Sequence, residues 1–213
     1  MLGPMDEYPV HQVPQPIAWP GSSDRNFYDR SYFNAHDRTG DIFVISGIGY
    51  YPNLGVKDAF LLVRRGDVQT AVHLSGAIDQ DRLNQHVGNY RVEVIEPLHK
   101  LRIVLDETEG IAADLTWDGL FDVVQEQPHI MRRGNRVTLD AQRFAQVGAW
   151  SGHLVIDGEE IAVDPSRWMA PVTGLGVSAR SAKPSPRDAP MIRRLRACGG
   201  CTCRWRSTTS ASW

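Results

Sequence analysis

Asp37, Asp41 and Asp58 are the carboxylates that lie in or beside the most apolar part of the first third of the chain. Burial raises a carboxyl pKa, and a carboxyl kept protonated in an apolar cavity serves as a general acid. Asp58 is the best placed of the three, because it opens the hydrophobic run Asp58–Arg65. An Asp that follows Pro-Asn-x-Gly also has a local use, hydrogen bonding its own turn. Tyr50, Tyr51, Trp117 and Trp150 are large aromatics within strand-like runs. They either line an apolar cavity or fill a core that needs no ligand. The seven histidines, His11, His36, His73, His86, His99, His129 and His153, include no i, i+4 pair and no His-x-His, so no metal site is read from them. Cys198, Cys201 and Cys203 form a CxxC-like element without a fourth ligand or a thioredoxin-like context, and are read as plain thiols.

Residues 26–74 must position the candidate acid. They contain three β-type runs in succession. Ile42, Val44, Ser46, Ile48 and Tyr50 share one face of the first, and Phe43, Ile45, Gly47 and Gly49 share the other. Asp58–Arg65 and Val68–Leu74 follow, joined by turn chemistry at Tyr51-Pro52-Asn53-Leu54-Gly55 and at Arg65-Gly66-Asp67. Ile78–His86 is polar and is expected to form one or two helical turns. Alternation returns at Tyr90–Glu96, at Leu101, Ile103 and Leu105, and at Ile111, Ala113, Leu115 and Trp117. Phe121–Val124 and Ile130–Arg132 are weaker strands. Val137–Val147 is ambiguous, since Leu139, Arg143 and Phe144 also fit helical spacing. Ala149–Ile156 and Glu159–Val163 flank Asp157-Gly158, a type I′ hairpin signature. Eight to ten short strands with regular turns predict an all-β antiparallel barrel or sandwich. No Gly-rich phosphate loop joins a strand to a helix.

The chain has 213 residues, a hydrophobic share of 42% and a net charge of −2, enough to bury a core. Charge is unevenly placed. Residues 170–213 hold Lys183 and seven arginines against Asp188 alone, so the preceding chain is acidic. The basic tail has no nucleic-acid-binding module, and no nucleic-acid partner is expected. No apolar run is long enough for a transmembrane helix, and the N-terminus lacks secretory-signal features, which makes cytoplasmic the default expectation.

Residues 27–60, FYDRSYFNAHDRTGDIFVISGIGYYPNLGVKDAF, resemble a lipocalin-like superfamily. That superfamily includes hydroxyneurosporene synthase (carotenoid 1,2-hydratase), tocopherol cyclase-like proteins, kievitone hydratase and uncharacterised actinobacterial proteins. Tyr32-Phe33-Asn34, Tyr51-Pro52-Asn53, Gly55 and Asp58 carry the resemblance, as do residues Gln146 to Gly152 with Asp157-Gly158. It covers residues 20–168 and implies a lipocalin-like (calycin-type) β domain there; Pro9, Pro14, Pro16 and Pro20 predict an extended lead-in over residues 1–19, and the basic composition of 169–213 predicts a disordered or out-of-frame tail. Members usually have two tandem barrels, with an Arg-Asp-Arg-Ser-Trp-Gly motif after the first. That motif is missing here, and deleting one base from a family-like Met-Gly-Thr-Arg-Asp-Arg-Ser-Trp-Gly-Val gives Met169 to Val177. The expectation is a first barrel followed by an out-of-frame tail, with an uncovered domain interface prone to self-association. The function implied is cofactor-free binding of a hydrophobic small molecule of isoprenoid, steroid or acyl type. Tyr50, Tyr51, Trp117 and Trp150 would line its cavity. The alternative is a cofactor-free hydratase, cyclase or isomerase acting on a lipophilic alkene, with Asp58 as its acid.

Overall fold

Among the described residues, thirteen strands form one antiparallel system. They are β1 (Asp29–Asp37), β2 (Ile42–Tyr51), β3 (Val56–Arg65), β4 (Val68–Ala77), β5 (Gln85–Val87), β6 (Tyr90–Glu96), β7 (Lys100–Thr108), β8 (Ile111–Gly119), β9 (Val124–Gln125), β10 (His129–Arg133), β11 (Arg136–Ile156), β12 (Glu159–Val163) and β13 (Trp168–Gly176). The computed structural model describes residues 7–9 and 20–176. Most of the expected tail, including its cysteines, lies outside the described residues. β13 carries the sheet past residue 168, the expected boundary, to Gly176.

The hydrogen-bonded order is β4-β3-β2-β1-β13-β11-β8-β7-β6-β5, with β9, β10 and β12 pairing on the long strand β11. The opening meander forms because three apolar alternating runs are separated by residues that accept left-handed backbone. Gly55 (φ 68°) closes a one-turn 3-10 helix, Pro52–Leu54, and Gly66 (φ 56°) turns β3 into β4. Asp157 (φ 49°) and Gly158 (φ 84°) make the expected type I′ turn.

Two local expectations need correction. Residues 78–84 form no helix. They are an irregular link leading into β5, since the stretch lacks a repeating apolar face. Val137–Val147 is strand, part of β11, because its backbone pairs with β10, β9 and β13; tertiary pairing overrides the local helical spacing.

The sheet curls until β5 lies against β2, β3 and β4. No ladder joins β4 to β5, so the two ends of the path meet along a seam. Side chains close the seam: Val87 faces Gly76, and Leu74 faces Gly88. Inside is one core cluster that includes Phe33, Ile48, Leu61, Val72, Ile103, Leu115, Trp117, Trp150 and Leu154.

A candidate ligand site inside the barrel

Strand parity decides which side chains enter the barrel. On β3, Lys57 falls in step with Ala59, Leu61 and Val63, all buried. Its neighbour Asp58 falls in step with Phe60 and Leu62 and points out. On β2, Val44, Ser46, Ile48 and Tyr50 are the inward set. Asp29 on β1 pairs with Tyr50, and Tyr50 pairs with Lys57. These three form a polar rung across three adjacent strands at one end of an otherwise apolar interior.

The middle of the barrel contains a small void lined by Phe33, Asn34, Ala35, Val44, Ser46, Leu61, Ile103, Leu115 and Trp150. With the seam closed it has room for about one water molecule. Its wall is crossed by two polar links. The hydroxyls of Ser46 and Tyr90 bond at 2.7 Å, and the Ser46 hydroxyl lies 2.9 Å from the Phe60 carbonyl oxygen. Trp150 Nε1 donates to the Asn34 carbonyl oxygen at 2.9 Å. The Tyr90 phenol, fully enclosed, is held well above its ordinary pKa by burial, so it stays protonated.

Residues 78–84 bring more polar groups to the rung. Lys57 is only 4% exposed, and its Nζ donates to Asp79 at 2.7 Å. Arg82 is buried, sits 5.5 Å above the Tyr50 ring, and donates to the Asp79 carbonyl oxygen. Burial pushes the Tyr50 phenol far above its usual value, Asp79 adds to the rise, and Arg82 opposes it. The lysine's hydrogen bond holds the Asp79 carboxyl below the usual range. Gln85 is buried on β5 and donates from Nε2 to the Glu7 carbonyl oxygen at 3.4 Å. The Glu7 carboxylate accepts the Leu98 N–H at 2.6 Å. Burial raises the Glu7 pKa, against the lowering effects of that bond and of His99.

Three buried polar atoms on inward positions have no hydrogen-bond partner among the described residues. They are Tyr50 Oη, Gln85 Oε1 and Trp117 Nε1. Such groups cost about 1–3 kcal/mol each when left unpaired.

The residues singled out from sequence divide between two faces. Tyr50, Trp117 and Trp150 are buried in the interior. Tyr51 and Asp58 lie on the outer face, where the Tyr51 hydroxyl donates to Asp58 at 3.1 Å and accepts from Arg30 Nη2 at 2.7 Å. Arg30 also approaches Asp58 at 3.8 Å. Burial pushes the Tyr51 phenol up to about 12. Asp58 therefore does not face the cavity as an acid there must, and Tyr51 does not line it. Gly49 explains their closeness, since a Cβ there would stand 2.8 Å from both Asp58 Oδ1 and Tyr51 Oη. Asp29, Lys57, Arg82 and Gln85 were missed. For Lys57 the signal was present, because the parity of β3 points it inward. Among the described residues no group of three metal-ligating side chains converges, and no helix is long and apolar enough to cross a membrane.

The fold is shared with the crystal structure of kievitone hydratase from Nectria haematococca, at a TM-score of 0.54 and 14% sequence identity, over 81% of this chain and 54% of that one. The chain thus spans about half the length of that protein. No curated protein matches the sequence. A profile described as a family of unknown function (DUF8625) matches residues 2–181.

Proposed function

We propose that this chain, which belongs to the family of unknown function DUF8625, binds a hydrophobic small molecule inside its barrel. The observation that carries the reading is the seam. No backbone ladder joins β4 to β5, where Val87 and Leu74 close against Gly76 and Gly88. Parting those strands breaks no backbone ladder. Lipophilic ligand sites occupy roughly 300 Å³ or more, far above the space of the closed barrel. Ligand entry therefore widens the seam and moves residues 78–84, which the Lys57–Asp79 pair ties to β3.

The experiment is a crosslink. Gly76→Cys and Val87→Cys, in a chain with Cys198, Cys201 and Cys203 replaced by serine, place two thiols across the seam. Nile red should gain fluorescence with the reduced protein, lose it on oxidation, and regain it with dithiothreitol. Equal uptake in both redox states rules out the seam as the route. No uptake in either state sinks the binding reading.

A further inference from the structure

The polar rung has a charge balance that restricts what it accepts. Lys57 is matched by Asp79. Arg82 is attracted by both Asp79 and Asp29. Each buried cation is already opposed by a carboxylate of the protein. An entering carboxylate would add uncompensated negative charge beside the buried Tyr50 and Gln85 side chains. An entering ammonium would meet Lys57 and Arg82.

The unpaired atoms call for a different chemistry. Gln85 Oε1 only accepts a hydrogen bond, whereas Tyr50 Oη donates or accepts. Both are carried by fully buried side chains on strands that touch each other, β2 and β5. One neutral group offers a donor and an acceptor from a single oxygen, the hydroxyl of an alcohol. We propose that Tyr50 and Gln85 form the polar end of the barrel's site and take the hydroxyl of an otherwise apolar ligand, discriminating against a carboxylate of the same length. The inference rests on the barrel-binding reading. The cation–π contact of Arg82 fixes the Tyr50 ring, and the Glu7 carbonyl oxygen holds the Gln85 amide so that Oε1 stays the open atom.

The test is displacement of Nile red by 1-decanol and by decanoate at pH 8, where decanoate is ionised. On the wild type, decanol should displace the dye at a concentration at least tenfold lower than decanoate. Tyr50→Phe keeps the ring and removes the hydroxyl, and should weaken decanol about fivefold, the scale of one lost hydrogen bond. Gln85→Met should weaken it similarly, with decanol displacement read for each variant relative to that variant's own affinity for Nile red. Decanoate binding as tightly as decanol overturns the proposal, as does decanol binding that ignores both substitutions. Dye uptake with no displacement by either decyl compound overturns it too, while leaving the barrel reading standing. Absence of dye uptake in the wild type removes both.

Discussion

Trp150 donates its indole N–H to the main-chain oxygen of Asn34, two strands away across β13. The reason lies in the strand between them. The β1–β13 register runs from Phe33–Val172 to His36–Met169 and skips Asn34 and Ala35. That register sets Asn34 opposite Pro171, which has no N–H to give. The indole supplies a donor from inside the barrel and also packs edge-on against Phe33 at 6.4 Å.

Trp150→Phe keeps an aromatic ring and leaves the Asn34 oxygen without that donor. Stability should fall by about 1–3 kcal/mol, read as a lower urea midpoint at an unchanged slope. A midpoint equal to wild type would show that the bond adds nothing.

Gly148 lies where a Cβ would meet the Asp118 carbonyl oxygen and stand 2.5 Å from Trp117 Cε2. Backbone and a buried indole have little room to yield. Gly148→Ala should cost about 1–3 kcal/mol through overpacking and should broaden the Trp117 environment in near-UV circular dichroism. Gly134, with φ 59° and nothing near its Cβ position, provides the contrast. Gly134→Ala should leave that spectrum unchanged and cost only backbone strain, about 1–2 kcal/mol.

Acid should weaken the rung. Hydrogen bonding from Lys57 holds Asp79 below its ordinary value of 3.8 in the folded state. The stability this gives is present above that ordinary value and is lost as pH falls through the lower folded pKa. Between pH 5 and pH 2 the wild type should therefore lose stability more steeply than Asp79→Asn. Parallel acid limbs for the two proteins would show that the pair is not linked to folding.

Leu120, Phe121, Val124 and Val147 are all exposed, and Phe121 is 64% accessible. They are neighbours: the Leu120 N–H bonds the Val147 carbonyl oxygen, and β9 pairs with β11 at Ala145 and Phe144. A patch of this kind favours association. Sedimentation should show concentration-dependent oligomers that Phe121→Asp with Val124→Asp returns to monomer. A monomer at every concentration would rule the patch out as an interface.

The sheet was legible in the sequence because β2, β3, β7 and β8 alternate cleanly and their turns carry Gly or Asp-Gly. The site was legible in part. Lys57 and Asp58 are adjacent charges at the start of one strand, and only parity tells them apart. Asp58 carries the carboxyl that acid chemistry needs, while the inward position belongs to Lys57. Arg82 and Gln85 come from or beside an irregular link with no period to read, and their depth follows from the curl of the whole sheet. The Trp150–Asn34 bond depends on β1, β13 and β11 being neighbours, a non-local pairing that no window of sequence displays.

The pairing of β1 with β13, from Arg30–Leu175 onward, also sets a schedule for synthesis. The meander β1–β4 contains only nearest-neighbour hairpins and can zip as it leaves the ribosome. β1 then waits for its second partner until β13 emerges, roughly 9–35 s into translation at about 5–20 residues per second. During that interval Phe33, Ile48, Leu61 and Val72, all buried in the finished barrel, coat one face of an unclosed sheet. That face keeps its apolar side chains uncovered by β13 until synthesis has passed residue 176.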